Sequence, residues 1–274
     1  AYPNQLSRTV MTTYANFEGY REAILADGND QFEGSPLPRA LLMAEEDELS
    51  VYYAPFDYVN TGARLVIVGI TPGLTQARLA LQSAARSLRM GLSSEDILRT
   101  AKTHASFGGS MRSNLTRMMD HLGLNTLLDI QSSSDLFGGK ADLAHFTSVL
   151  RYPVFVHSKN YSGSPHPNKA PLLNGELSHF HAEVHSVQNA LFLPVGALPT
   201  SIMRGLVQCG QIEEDRVLFD LPHPSGANQE RINYFLGRKR RDHLSSRTNA
   251  DKLESAKRVL LTKLRQYRTF GVTA

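Results

Sequence analysis

Residues 64–81 read RLVIVGITPGLTQARLAL. Leu65–Val68 form a short apolar run rich in β-branched side chains, the pattern of a strand buried on both faces. The run stops at Gly69-Ile70-Thr71-Pro72-Gly73, and TQARLALQSAARSL (75–88) continues with apolar residues at helical spacing. A chain that turns this tightly from strand to helix presents backbone amides at the strand's carboxyl end. Ligands of parallel α/β sheets bind there.

The same alternation recurs along the chain. SSEDILRTAKTHA (93–105) opens like a capping box, and SNLTRMMDHLGL (113–124) is an amphipathic helix stopped by Gly123. HFTSVLRYPVFV (145–156) reads as a strand running into a loop, and HSKNYSGSPHPNKAP (157–171) as a long loop. HFHAEVHSVQNA (179–190) is helical, LFLPVG (191–196) a strand, LPTSIMRGLVQCG (198–210) a helix and RVLFDLP (216–222) the last strand. HPSGANQERINYFLG (223–237) is a turn feeding a helix, and NADKLESAKRVLLTKLRQYR (249–268) a terminal helix. Buried strands alternating with helices predict an α/β fold: three α/β/α layers around a mostly parallel central sheet of about four strands. Residues 1–50, with a helix over Leu6–Leu25, turn-rich ADGNDQFEGSPLP (26–38) and acidic AEEDEL (44–49), read as an N-terminal extension packed on a main domain of residues 51–274.

Composition narrows the function. With 41% hydrophobic and 20% charged residues, the 274-residue chain can bury a sizeable core. No apolar run approaches the ~20 residues of a membrane span. AYPNQLSRTVMTTYANF (1–17) lacks the apolar core of a secretory signal. Cys209 is the only cysteine, which excludes an intrachain disulfide framework, a Cys-ligated iron–sulfur cluster and a zinc knuckle. The expectation is a cytoplasmic monomer with no cofactor and no membrane partner. A net charge of +3 permits a polyanionic partner without requiring one. GRKRRDHLSSR (237–247) concentrates base, either as a solvated turn or as a phosphate contact.

Three places follow strands: Gly69–Gly73, Thr147–Tyr152 and His223–Asn228. His223 enters a His-Pro-Ser-Gly turn in which Pro224 fixes the backbone and Gly226 permits close approach. Ser225, Gly226, Asn228 and the local amides suit a phosphate oxygen, and Arg231 is placed for a further phosphate contact. His157, Asn160, Tyr161 and His166 lie in the long loop at a spacing that does not suit a metal.

Gly-Ile-Thr-Pro-Gly after the first core strand and His-Pro-Ser-Gly after the last together resemble the uracil-DNA glycosylase superfamily. The first motif is similar to the Gly-Ile-Asn-Pro-Gly of its mismatch-specific and thymine/uracil branch. The second is similar to the His-Pro-Ser of its main and single-strand-selective branches. The resemblance spans roughly residues 50–237. It implies a DNA glycosylase that flips a uracil or modified pyrimidine out of the stack, cleaves its N-glycosidic bond and leaves an abasic site. By the same resemblance Phe107 stacks on the base, Ser148 takes the place of the residue that reads the base edge, and the amides around Ile70 and Gly73 hold its carbonyl oxygens. His223 stabilises the departing base as an oxyanion-hole donor would.

Two positions depart from the family. Thr71 stands where that branch positions water with Asn, and Ser148 where Asn reads the base. Three explanations stay open. The catalytic polar group has moved, to Asp57, Asn60 or Gln76. The pocket accepts a different or bulkier base. Or the protein is a catalytically silent relative that binds DNA carrying a modified base. The aromatics of YAPFDYVN (53–60) read chiefly as core.

Overall fold

The computed structural model describes residues 14–26, 35–187 and 189–269. In chain order it contains α1 (Ala15–Leu25), β1 (Leu42–Glu46), β2 (Leu49–Tyr52), β3 (Leu65–Gly69), α2 (Leu74–Arg89), α3 (Ser94–Ala105), α4 (Ser110–Leu122) and a one-turn α5 (Leu124–Leu127). There follow β4 (Ala144–Ser148), β5 (Val154–Val156), β6 (Lys159–Asn160), α6 (Pro171–Ser186), β7 (Leu191–Pro194), α7 (Ala197–Gln208), α8 (Gln229–Phe235) and α9 (Ala250–Thr269). The fold is mixed α/β. The parts of the expected Leu6–Leu25 helix and the 26–38 turn that fall in 1–13 and 27–34 lie outside the described residues.

The chain divides into two compact units. The first takes the described residues of 1–59, 71–106 and 150–179; the second takes 60–70, 107–149 and those of 180–274. One boundary falls between Ile70 and Thr71, inside the turn that ends β3.

The second unit holds a parallel sheet in the order β4-β3-β7. Its central strand is the apolar run Leu65–Gly69, whose first four residues are buried, as a strand covered on both faces requires. On one face Leu65, Ile67, Phe146 and Leu193 join Leu115, Met118 and Met119 of α4, Ile232 and Phe235 of α8, and Leu260 and Leu264 of α9. Each such side chain contributes about 1.5–3 kcal/mol by leaving water. The alternate residues of β4 are polar: His145 Nε2 and Glu183 Oε2 of α6 lie 2.8 Å apart, and Thr147 Oγ1 donates to the same oxygen at 2.5 Å. α4 ends at Gly123, whose φ of +76° supplies the left-handed cap expected from the sequence.

The expected sheet of about four parallel strands is corrected here. It has three, and RVLFDLP contributes only two isolated parallel bridges, Phe192 to Val217 and Val195 to Leu221. Asp220, with φ +69°, breaks the extended backbone between those bridges, so no continuous ladder forms.

The first unit holds a second sheet that is antiparallel, in the order β1-β2-β5-β6. Val51 pairs with Val154, and Leu49 with Val156. α2 packs on α1 and α3. α3 starts where Ser93 Oγ accepts the Asp96 N–H at 3.2 Å, the cap anticipated from Ser-Ser-Glu-Asp. No helix among the described residues is long and apolar enough to cross a membrane.

Candidate nucleobase site and its supports

In the second unit, Gly69, Phe107, Ser148 and His223 gather along the carboxyl edge of the parallel sheet. Gly69 ends β3 opposite Ser148, the last residue of β4. A Cβ on Gly69 would stand 3.4 Å from Ser148 Oγ and 3.6 Å from Phe107 Cζ. The strand end is bare, and the hydroxyl and the ring close over it. Phe107 reaches this position through a left-handed backbone, φ +51°, uncommon for an aromatic residue and typical of functional sites. Its ring lies 6.3 Å from Phe146, edge to face, and Phe146 stacks on Phe137 at 4.7 Å. Only 8% of Phe107 is exposed.

Two chain segments along the same edge place His223. Val195 follows β7 and bridges to Leu221, which brings Gly196 and His223 to the sheet's carboxyl end. The imidazole lies against Gly196, where a Cβ would come 2.8 Å from His223 Cδ2. The Ser225 N–H donates to His223 Nδ1 at 3.2 Å, so the ring proton of the neutral form sits on Nε2. Burial holds the imidazole's pKa below its ordinary value, which favours that neutral form. The site therefore has a neutral donor at the end of a buried sheet.

The turn after His223 is tied down from below and behind. Asn114 of α4, 3% exposed, donates through Nδ2 to the Pro224 carbonyl at 2.8 Å, and Arg117 donates to Asn114 Oδ1. Ser225 Oγ accepts from Asn228 Nδ2 at 3.2 Å, and Asn228 Oδ1 accepts from Arg231 Nη1 at 2.9 Å. Arg231 Nη2 donates to the Arg247 carbonyl at 3.1 Å. Three residues singled out for phosphate contact are thus bonded in series, and Gly226 is exposed beside them.

In the first unit, the remaining candidates are held by hydrogen bonds. Thr71 Oγ1 donates to the Tyr152 carbonyl at 2.8 Å and accepts the Val154 N–H at 3.2 Å. Gly73 N–H donates to Gln76 Oε1 at 3.0 Å, and Leu74 N–H to Asn160 Oδ1 at 2.9 Å. These side chains cap α2, whose own N-cap glycine has none. Asp57 is 1% exposed; its two oxygens accept from Tyr53 Oη at 2.8 Å and Tyr152 Oη at 2.6 Å. Burial raises its pKa, and the two hydroxyls partly offset that rise. Asn60, in the second unit, donates to the carbonyls of Asp142 and Ala144. Among the described residues no group of three or more His, Cys, Asp or Glu side chains could hold a metal ion.

Sequence reasoning missed Asn114, Gly196 and the capping role of Asn160. Gly196 carried a usable signal, because it follows a buried strand just as Gly69 does. Asn114 carried none, sitting inside an amphipathic helix.

The chain matches the Uracil DNA glycosylase superfamily over residues 56–250, the stretch that contains both turns. It belongs to that superfamily. Among curated proteins it is 40% identical over 195 residues to the uncharacterized protein YoxB of Bacillus subtilis (strain 168), covering 70% of this chain and 76% of YoxB. No solved structure matches. Uracil DNA glycosylases act on DNA and hydrolyse N-glycosidic bonds. The superfamily match covers Gly69, Phe107, Ser148 and His223 together.

Proposed function

We propose that the protein is a monofunctional DNA glycosylase that everts a uracil or modified pyrimidine nucleotide and hydrolyses its N-glycosidic bond, leaving an abasic site. The observation that carries the reading is the neutral His223, with its proton on Nε2, at the sheet edge that also bears Gly69, Phe107 and Ser148. In glycosidic cleavage the bonding electron pair leaves with the base nitrogen and spreads onto the carbonyl oxygens. Water adds its oxygen to C1′, and its proton ends on the base. An Nε2–H aimed at the developing oxyanion lowers that barrier, and removing one such donor typically costs about 10²–10³ in rate. Phe107 offers a face for stacking. Ser148 offers one hydroxyl, a smaller and less directional reader of the base edge than an amide. This favours a pocket tolerant of modified pyrimidines. The three-layer arrangement around the sheet and a cytoplasmic location belong to this same reading.

The Thr71 hydroxyl already holds a carbonyl and an amide, and a neutral aliphatic hydroxyl is a weak base. Water attack would then rely on the pull of His223 rather than on a strong base. The same observation favours a second reading, a silent relative that binds a modified base without cleaving it. The test is a panel of labelled oligonucleotides bearing uracil, hydroxymethyluracil or bulky cytosine derivatives, incubated with protein and then treated with alkali. Abasic breaks that disappear with His223→Ala support the enzyme. Gel shifts without breaks on any base support the silent relative.

A further inference from the structure

The basic charge of the chain is unevenly placed. Residues 229–268 hold twelve Lys and Arg against four Asp and Glu, whereas the whole chain holds 29 and 26. The rest of the molecule is therefore net acidic, and the positive field comes from one stretch.

Within that stretch, the connection between α8 and α9 is tied in place by its few acidic residues. Glu230 of α8 accepts from Lys239 Nζ at 2.7 Å, Ser245 Oγ at 2.6 Å, Ser245 N–H at 3.2 Å and Thr248 Oγ1 at 2.5 Å. These bonds keep its carboxylate pKa well below the ordinary range. Arg241 pairs with Asp251 at 2.6 Å and with Glu254 at 3.4 Å. Arg231 clasps the Arg247 carbonyl from the other side. Lys239 and Arg241 are thus used as fasteners. Arg238, Arg240 and Arg247 stay on the exposed side. Among the described residues, Arg240 pairs only with its exposed neighbour Asp242, through Nε at 3.1 Å and Nη2 at 2.9 Å. Among the described residues, the side chains of Arg238 and Arg247 make no hydrogen bond or ion pair. Through Asn228 the loop is bonded continuously to Ser225, two residues from His223.

We propose that the loop 237–249 is a preformed binding site for the backbone phosphates of duplex DNA. Glu230 and Arg231 hold it beside the His223 turn, and Arg238, Arg240 and Arg247 make the contacts. The proposal rests on the glycosylase reading only for the choice of DNA as polyanion. Guanidinium groups suit phosphate oxygens because their planar donors bind in pairs. A membrane surface fits less well: Leu244 is the loop's one large apolar side chain, and it is half-buried.

The experiment measures anisotropy of a short unmodified DNA duplex across a salt series, with the full chain. Arg238→Ser/Arg240→Ser/Arg247→Ser is expected to weaken binding at least tenfold and to flatten the log–log salt slope by about 2–3. Wild-type affinity and slope in that variant would overturn the site. Glu230→Gln makes the chain more positive yet releases the fasteners. It is expected to bind DNA more weakly and to be cut faster by trypsin after Arg238–Arg241; tighter binding would overturn the idea of a preformed loop. Phosphatidylserine vesicles are expected not to compete with the duplex, and competition would overturn the choice of partner. Excision assays separate the two readings. Base release by a variant that binds like wild type removes the loop site and keeps the glycosylase. Arginine-dependent duplex binding without base release keeps the loop site and removes the glycosylase.

Discussion

The imidazole of His223 occupies the space that a side chain on residue 196 would need: a Cβ on Gly196 would stand 2.8 Å from its Cδ2. Gly196 also has φ +98°, which penalises any other residue. Gly196→Ala should therefore displace the ring. Excision should fall by about 10²-fold, close to the effect of His223→Ala, and the melting temperature should drop as well. Full activity in Gly196→Ala would show that the ring position is not needed.

The pH profile should follow the neutral imidazole. Burial lowers the pKa of His223, so its neutral donor form persists at pH values below the ordinary histidine range. Activity should stay flat through neutrality and fall only as pH drops through that lowered value. The same group ties stability to pH: its contribution is complete above the unfolded-state value of about 6.5 and is lost as pH falls through the folded one. NMR titration of the ring proton reads the pKa directly. A raised value, or activity that grows on acidification, would contradict this.

Asn114 should act as a positioning residue. Asn114→Ala leaves the Pro224 carbonyl without its buried donor and should cost about 1–3 kcal/mol of stability by urea unfolding. A merely structural role would leave kcat of the folded fraction unchanged. We expect kcat to fall with KM little altered.

Thr71 should prove to be a peg rather than a base. Thr71→Ser keeps both bonds and should be close to wild type. Thr71→Val loses both and should cost about 1–3 kcal/mol. A rate loss of about 10²-fold or more in the folded fraction of Thr71→Val, restored in Thr71→Ser, would instead give the hydroxyl a direct part in chemistry.

Asp57 gives a stability signature of opposite sign to His223. Its folded pKa is raised, so the contribution it makes below the unfolded value of about 3.9 is lost as pH rises through the folded one. The stability advantage of wild type over Asp57→Asn, measured by thermal unfolding, should shrink between acidic and neutral pH.

The parallel sheet and its two turns were legible because short apolar runs end abruptly in Gly and Pro. The antiparallel sheet was not. β1 is half-exposed and ends in two glutamates, so Leu42–Ser50 read as part of an acidic extension instead of a hairpin turning at Asp47, φ +51°. β5 and β6 hold three and two residues, too few to show alternation. RVLFDLP carried a strand's composition, but the conformation of Asp220 depends on neighbours that no local pattern encodes. In the site, His223 was readable from its rigid turn. The occupation of the Thr71 hydroxyl was not, because its partners lie 81 and 83 residues away.

The chain passes between its two compact units five times, at 59/60, 70/71, 106/107, 149/150 and 179/180. Neither unit is a continuous length of polypeptide, so no single cut can liberate one intact. A deletion that reaches past residue 59 from one end, or past residue 180 from the other, damages both units at once. Much of the assembly must wait until segments far apart in sequence are available, which makes folding slow for its size. For the same reason, neither half is a module that could be exchanged whole with another gene.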